Sequence, residues 1–504
     1  MSSTKTKVLG LCTSWVRSVK AKDTFSVGSS STGSLRTFSS SPPISPVTTN
    51  TAGILAAEFY IPHRYVSQGE LEKFDKVSAG KYTIGLGQSQ MAFVDDREDI
   101  NSIALTAVHR LLERYNIDPK EIGRLDVGTE SLVDKSKSTK TTLMQLFSPS
   151  GNRDIEGATV MNACYGGTAS LLNSVAWVNS PEAHGRFAIY VACDIAVYEP
   201  GPARPTGGVG AVACLVGPDA PLSLVPGARH SHSVDVYDFY KPIMSSEYPA
   251  VDGKLSQSCY VTAVDDCYAG TISKLEKIRS KQIKSVEEAF DHVAFHSPYN
   301  KLVQQSFKRM LYNDARRLVA RGQTLPDALS ALAPFASLPA AQTLANKDLD
   351  KILSSLGGDA YKRMVGPSES ISKNIGNSYT GALHMNLVSL LGDAQSGGSN
   401  LEGKSIGAFS YGSGAIATML AFSGRKTANK AFSLSAISKT LNVSSRLKER
   451  IEASPEEFTN ALLLREAFYG KSGASPVGSV DNVPSGAYFL KEVTKEGGRV
   501  YERK

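Results

Sequence analysis

The stretch Asn162-Ala163-Cys164-Tyr165-Gly166-Gly167-Thr168 sets a cysteine between an apolar run and a helix-like run, with two glycines behind it. A thiolate at a helix start is stabilised by unpaired backbone N–H groups and the positive end of the helix dipole, so the position predicts a lowered pKa and a nucleophile. The glycines predict room for a substrate to approach the backbone closely. Three further segments each set one polar group beside a presumed strand end or turn: Gly128-Thr129-Glu130-Ser131, Phe295-His296-Ser297-Pro298-Tyr299 and Gly376-Asn377-Ser378-Tyr379-Thr380. Together they supply a nucleophile, an imidazole, a carboxylate and an amide donor. A cysteine with a histidine can take an acyl group from a thioester, because the sulfur-to-sulfur transfer is nearly balanced in energy and needs no metal. A glutamate beside the acyl-cysteine can remove an α-proton. Backbone N–H groups near Cys164, or His and Asn side chains, can hold the developing oxyanion. Taken singly, each residue also has a plain structural reading: Cys164 as a buried inert thiol, His296 as a satisfied core imidazole, Glu130 as a surface or capping carboxylate. Spacing alone does not show that the segments meet.

The elements that must position these groups belong to a chain of 504 residues, longer than one ordinary core, which predicts two or more packed units. Hydrophobic content of 41% and charged content of 20% describe a soluble globular protein. No apolar run approaches the roughly 18 residues of a membrane span. The net charge of +7 is concentrated at one end. Residues 1–50 hold six basic side chains (Lys5, Lys7, Arg17, Lys20, Lys22, Arg36) and one acid, Asp23, leaving 49 basic and 47 acidic residues elsewhere. The body therefore lacks the basic character that would suit nucleic acid. Those fifty residues also contain 13 serines. Basic, serine-rich and acid-poor, they predict a mitochondrial transit peptide and a matrix location, and Ser39-Ser40-Ser41-Pro42-Pro43 reads as a linker. The alternative is a cytoplasmic protein with a disordered tail. Six cysteines (Cys12, Cys164, Cys193, Cys214, Cys259, Cys267) show neither CxxC nor zinc-type spacing, which fits a reducing compartment.

The body begins near Gly53-Ile54-Leu55. Apolar spacing over Asp99 to Tyr115 predicts a helix. Leu125–Thr129 reads as a strand, Thr139–Phe147 as a helix, and Phe187–Val197 and Val209–Val216 as strands buried on both faces, with Cys193 and Cys214 in the core. A strand ends at Val293–His296, an amphipathic basic-faced helix covers Lys301–Arg317, and Gln323–Asp359 reads as an Ala/Leu-rich helical insertion. Ile406–Tyr411 is a strand running into Gly412-Ser413-Gly414, and Ala415–Phe422 continues apolar. A strand followed by a glycine turn occurs around Cys164 and again around Ser410, a hint of a duplicated α/β architecture with a site between halves. No GxxxxGK[ST] sequence is present, and Gly207-Gly208-Val209-Gly210 precedes a strand, so a nucleotide fold is not indicated.

These segments, in this order, resemble the 3-hydroxy-3-methylglutaryl-CoA synthase family. The likeness runs from about Gly53 to Arg503. It includes Ala79–Gly87 (AGKYTIGLG), Asp134–Ser138 (DKSKS), Leu143–Phe147 (LMQLF), Asp194–Tyr198 (DIAVY), Arg204–Gly210 (RPTGGVG), Tyr237–Pro242 (YDFYKP) and Phe409–Gly414 (FSYGSG). The resemblance implies an α/β fold of thiolase type, five-layered αβαβα, built from related halves at 51–222 and 223–504 and working as a homodimer. It implies acetyl-CoA and acetoacetyl-CoA as substrates, with no metal and no bound organic cofactor. Cys164 matches the acylated nucleophile, Glu130 the general acid/base, and His296 the histidine that handles the second substrate. Asp194, Asp238 and Tyr165 match supporting residues. Ala79, Lys81, Thr206, Ser256, Lys301, Asn377 and Ser410 match positions that bind the CoA ester. Two departures stand out: Pro202 where relatives often carry Asn, and Gln305 where many carry Lys. Losing one exposed lysine near a phosphate weakens attraction by about 1 kcal/mol or less. A decarboxylating ketoacyl synthase of the same fold is disfavoured by the Glu130 segment. A silent CoA-binding scaffold is disfavoured by the presence of all three reacting residue types.

Overall fold

Residues 51–504, apart from 345, 394 and 396, are described by the computed structural model. The expected leader and linker at 1–50 lie outside the described residues. Ten strands pair into one mixed sheet: β1 (Gly53–Tyr60), β2 (Ile122–Gly128), β3 (Thr159–Val160), β4 (Phe187–Ala196), β5 (Gly208–Gly217), β6 (Leu222–Leu224), β7 (His230–Ser233), β8 (His292–Phe295), β9 (Ser405–Gly412) and β10 (Ile416–Gly424). Their order is β8-β9-β10-β6-β1-β5-β4-β2-β3, with β7 also on β10. β2 runs parallel to β4, and β8 parallel to β9. The short strand β6 pairs β1 on one side and β10 on the other, so it joins the two halves.

The strands are apolar on both faces because helices cover both. Along β4, Ile189, Val191, Cys193 and Ile195 enter one core while Ala188, Tyr190 and Ala192 enter another. Along β9, Ile406 and Ala408 join that second core, and Phe409 and Tyr411 a third. Helix α1 (Ile100–Arg114) packs on the first core. Helices α2 (Gly166–Val178) and α6 (Ala382–Gly392) share the middle one. Helices α3 (Gly253–Arg279) and α4 (Asn300–Ala320) cover the third. The three cores thus set helices against both faces of the two parts of this sheet, a mixed α/β arrangement consistent with the thiolase-like fold expected. Helix α1 starts where the spacing placed it, because Asp99 caps it in a reciprocal box with Ser102. Its Ile103, Leu105 and Leu111 are fully buried, each stabilising the fold by roughly 1.5–3 kcal/mol relative to exposure.

Two expectations are corrected. The helix over Thr139–Phe147 is α-helical only for Thr139–Leu143 and continues as a 3-10 turn, Met144–Leu146, ahead of Pro149, which disfavours helical backbone before it. The Gln323–Asp359 segment is not one helix. Prolines 326, 334 and 339 divide it into short pieces (Asp327–Leu332, Ala333–Ala336, Ala340–Thr343), and only then does α5 (Lys347–Met364) form.

At the end of β9 the backbone presses against the cysteine segment. A Cβ on Gly412 would stand 1.9 Å from the Ala163 carbonyl oxygen, whereas one on Gly358, within α5, meets nothing within 4 Å. Gly412→Ala is therefore expected to lower stability by about 1–3 kcal/mol. Gly358→Ala is expected to raise it by about 0.5–1 kcal/mol through helix propensity. Urea unfolding of the two variants checks the contrast; equal stabilities would contradict the close approach at Gly412.

Candidate active site

Cys164 sits in a tight turn before α2. The Tyr165 N–H donates to the Ala163 carbonyl at 2.6 Å, and Cys164 takes a φ of 52°. Such backbone is sparsely populated for a non-glycine residue. The two glycines that follow have a different use from the one expected. A Cβ on Gly166 would lie 2.6 Å from the Val160 carbonyl oxygen, and one on Gly167 would lie 2.5 Å from Ala192 Cβ and 2.7 Å from the Thr380 carbonyl oxygen. They admit neighbouring protein segments where a substrate was expected.

Glu130 follows β2. The backbone N–H of Cys164 is close enough to favour its charged form, and Lys241 Nζ lies 3.8 Å from Oε1. The loop that carries it is fixed by Asp194 at the end of β4. Asp194 Oδ1 accepts from Thr129 Oγ1, the N–H groups of Glu130 and Ser131, and Ser131 Oγ, all within 2.7–2.9 Å. Its Oδ2 accepts from the Thr380 N–H at 2.9 Å and Thr380 Oγ1 at 2.5 Å. Around the Cys164 thiol, Ala196, Tyr198, Tyr379 and Phe239 form an apolar wall, and Lys241 Nζ stands 4.8 Å over the Tyr379 ring.

His296 follows β8 and is 1% exposed. Its N–H bonds the Phe409 carbonyl at 2.7 Å, and Tyr260 Oη donates to its carbonyl at 2.5 Å. Its Nδ1 is buried with no partner among the described residues. Asp238 accepts from Tyr411 Oη at 2.9 Å and the Gly414 N–H at 2.8 Å, which pins the turn after β9. Asn377 uses its carbonyl to accept from the Tyr379 N–H at 2.8 Å, so its NH2 is the group left for a ligand. The hydroxyl of Tyr165 reaches Thr418 Oγ1 on β10 at 2.6 Å, a brace between halves. Ser410 is buried, and its Oγ accepts from Thr168 Oγ1 at 2.8 Å, a second brace on the helix behind Cys164.

The remaining expected binding residues form a rim. Ala79 and Lys81 are exposed on a loop organised by Glu72, whose carboxylate accepts from the N–H groups of Gly80, Tyr82 and Thr83. The Lys301 N–H bonds the Leu86 carbonyl at 2.9 Å, which ties that loop to the start of α4. Ser256 is half-buried in the first turn of α3. Thr206 bonds the Ala203 carbonyl at 2.7 Å, and the Gly207 carbonyl receives the Asn377 N–H at 3.2 Å. Pro202 and Gln305 are both exposed.

The electrostatics overturn one expectation. Burial first, then the Glu130 and Asp194 carboxylates, push the Cys164 thiol well above its ordinary range, against the pull of Lys241. A lowered pKa was expected from the helix start. The segment is instead enclosed among carboxylates, and its own N–H favours the charged form of Glu130. The neighbouring N–H groups of Tyr165 and Gly166 are also engaged, by Ala163 and Asn162 carbonyls. Burial, with Asp194, pushes Glu130 up to about 8, against Lys241 and the Cys164 N–H. Burial, with His384 adding, lowers His296 to about 3, so it is neutral at physiological pH. Three contributors were not singled out from sequence. Lys241 lies inside the Tyr237–Pro242 segment, where its charge beside Asp238 was a usable signal. Thr380 closes the Gly376–Thr380 segment but its role, like that of His384, arises from contacts across the fold. His384 bonds Tyr190 Oη at 3.0 Å, and its Cδ2 lies 3.1 Å from where a Gly167 Cβ would stand. Among the described residues no group of His, Cys, Asp and Glu is arranged to hold a metal ion, and no helix is long and apolar enough to cross a membrane.

A mixed α/β fold with a cysteine before a central helix, a histidine from the second half and a buried glutamate defines a thiolase-fold condensing enzyme. Residues 48–221 match the family model for the hydroxymethylglutaryl-coenzyme A synthase N terminal region, and residues 222–504 match that for the C terminal region. The chain belongs to the hydroxymethylglutaryl-CoA synthase family. It is 45% identical over 451 residues to hydroxymethylglutaryl-CoA synthase A of Dictyostelium discoideum, covering 90% of each chain. It is also 45% identical over 457 residues to the mitochondrial human enzyme, covering 90% of this chain and 89% of that one. The cytoplasmic human enzyme is 45% identical over 456 residues, covering 90% and 87%. The solved structure of MvaS in complex with 3-hydroxy-3-methylglutaryl coenzyme A superposes with a TM-score of 0.75 at 29% identity, over 90% of this chain and all of that one.

A carboxyl group is a base only when ionised, so any rate that depends on Glu130 as a base rises with pH toward about 8 and then levels. Removing Lys241 takes away a cation that favours the carboxylate. Lys241→Met is expected to move the midpoint of the kcat–pH profile upward by about one unit or more. An unmoved midpoint would show that the pair does not tune Glu130.

Proposed function

We propose that the protein condenses acetyl-CoA with acetoacetyl-CoA and water to give 3-hydroxy-3-methylglutaryl-CoA and CoA. The observation that carries this reading is the closeness of Glu130 to Cys164, each acting on the other's proton affinity, with Ala196, Tyr198 and Tyr379 as an apolar wall beside the cysteine. Relatives named as synthases of this product support it.

In the first stage the Cys164 sulfur attacks the acetyl carbonyl of acetyl-CoA. A sulfur–carbon bond forms, the bond to CoA sulfur breaks, and the thiol proton passes through a neighbouring base to the departing CoA. The raised thiol pKa makes such a base necessary. In the second stage Glu130 removes a methyl proton from acetyl-Cys164. The carbanion attacks the ketone carbon of acetoacetyl-CoA, and neutral His296 and the Asn377 NH2 hydrogen-bond the oxygen that becomes an alkoxide. The proton gained by Glu130 balances the one the alkoxide takes up. Water then cleaves the thioester to Cys164. Every step is acyl transfer, proton transfer, addition or hydrolysis, so the sequence calls for no metal and no organic cofactor.

Two further parts of the reading concern assembly and place. A homodimer is supported by the two-residue edge strand β3 and by exposed Met161, Ile243 and Met244, which line a hollow of about 290 Å³ beside Glu130. A second copy across that edge would cover these apolar side chains. A matrix location is supported by the composition of residues 1–50, while relatives include both mitochondrial and cytoplasmic enzymes.

The test is mass analysis of protein and product after incubation with labelled acetyl-CoA. Cys164→Ala is expected to carry no acetyl group. Glu130→Gln is expected to be acetylated yet to form product about 100-fold to 10,000-fold more slowly. Label on Cys164→Ala, or normal product formation by Glu130→Gln, would reject the mechanism.

A further inference from the structure

Lys241 Nζ stands 3.8 Å from Glu130 Oε1. That separation exceeds hydrogen-bond length, so no hydrogen bond locks the pair, and a lysine is a point charge on a flexible stem. The Tyr379 ring beneath the ammonium, 4.8 Å away, fixes no distance to Glu130. The separation is therefore set by whatever holds the two backbone segments that carry the groups. Lys241 opens the loop of a hairpin whose strands, Phe239–Tyr240 and Ala250–Val251, are two residues each. So short a pair does not hold a loop by itself. Asp238 pins only its base, through Tyr411 and Gly414.

The rest of the loop is held by the last turn of one helix, α7 (Pro455–Phe468). Arg465 Nη2 donates to Glu247 Oε1 at 2.6 Å, and Tyr248 Oη donates to Glu466 Oε2 at 3.1 Å. The Arg465–Glu247 pair is enclosed, its side chains 7% and 13% exposed. Arg465 Nη1 also donates to the Glu98 carbonyl at 2.9 Å, which ties the guanidinium to the segment ahead of α1. The same helix end holds the other group. Tyr469, which follows α7, donates its hydroxyl to the Leu132 carbonyl at 3.2 Å. Leu132 comes two residues after Glu130, next to the Ser131 that Asp194 anchors. Glu130, Lys241, Glu247 and Tyr469 border one hollow of about 290 Å³. The mount is firm: a reciprocal Ser454–Glu457 box and Pro455 start α7, and Phe458 and Leu462 bury it in the first core.

We propose that Arg465, Glu247 and Tyr469 are positioning residues: through them the end of α7 clasps the Lys241 loop and the Glu130 loop at once and sets the distance at which the ammonium meets the carboxylate. The inference rests on the condensation reading, in which Glu130 is the base, and deepens it by giving the C-terminal helix a part in the reaction. The groups that face Glu130 are Lys241 from the hairpin, Asp194 from the end of β4 and the Cys164 segment before α2. The Arg465–Glu247 pair is faced by Asp99 from the start of α1 and by Tyr469. Glu247 has the same sign of charge as Glu130. Removing that charge would, through its field alone, favour the Glu130 carboxylate and move a base profile downward in pH. Losing the placement of Lys241 moves the profile upward, so the two effects differ in sign.

The test is the midpoint of the kcat–pH profile for product formation by the full chain, with Lys241→Met as the reference shift. Glu247→Gln, which keeps the side-chain shape, is expected to move the midpoint upward by about half a unit or more. Combined with Lys241→Met it is expected to move the midpoint no further, because both changes act through one contact. The double variant Tyr248→Phe/Tyr469→Phe removes one hydroxyl on each side of the contact and no charge at neutral pH; its midpoint is also expected to rise. An unmoved or lowered midpoint in either variant overturns the proposal, as does a Glu247→Gln shift that persists in full on Lys241→Met. Should Glu247→Gln fail to fold, the tyrosine variant decides alone by the same criterion. Wild-type protein that forms no 3-hydroxy-3-methylglutaryl-CoA would instead overturn the condensation reading itself.

Discussion

The site depends on one buried carboxylate. Asp194 is fully enclosed and receives six hydrogen bonds, four from the Thr129–Ser131 loop and two from Thr380. Each bond to a charged acceptor contributes roughly 1.5–3 kcal/mol, and a buried carboxylate without them would be strongly destabilising. The arrangement is therefore nearly all or none. It fastens the end of β4 to the loop bearing Glu130 on one side and to the Asn377–Thr380 loop from the second half on the other. Thr380 adds a bond from its hydroxyl to the Gly128 carbonyl at 3.0 Å. Asp238 does a similar task in the second half, through Tyr411 and Gly414.

What this scaffold holds is electrostatically unfavourable by itself. A thiol, a glutamate and two aspartates share one enclosed space, and the burial that excludes water raises both Cys164 and Glu130. Lys241 is the cation that opposes this, 3.8 Å from Glu130. The balance leaves Glu130 at about 8, a value that suits proton transfer in either direction near pH 7. The histidine follows the opposite logic. Burial holds His296 neutral, and its Nδ1 has no partner among the described residues.

Much of this was legible in the sequence, and the divide is physical. Strands β4 and β5 show as unbroken apolar runs because both faces are covered, and α1 shows through its periodicity and its Asp99 cap. Cys164, Glu130, His296 and Asn377 stood out because each is a reactive type beside a glycine or a strand end, and the ordered segments around them carried the family resemblance. The thiol's raised pKa was not legible, because it depends on which carboxylates surround the turn, and Asp194 lies thirty residues away in the chain. The same holds for Lys241, Thr380 and His384, whose partners are set by tertiary contacts. The glycines after Cys164 were read as making room for substrate; the fold uses them to admit Val160, Ala192 and Thr380. The Ala/Leu content of the 323–359 stretch predicts a helix that its prolines break into short pieces.

The most direct test of the account is to remove the Asp194 charge while keeping its shape. Asp194→Asn turns two acceptor oxygens into one acceptor and one donor facing donors, which frees the Glu130 loop without touching either reacting group. In the variant given labelled acetyl-CoA and then acetoacetyl-CoA, the account predicts that Cys164 still takes up label while product formation falls about 100-fold or more. Product formed at the wild-type rate would contradict it.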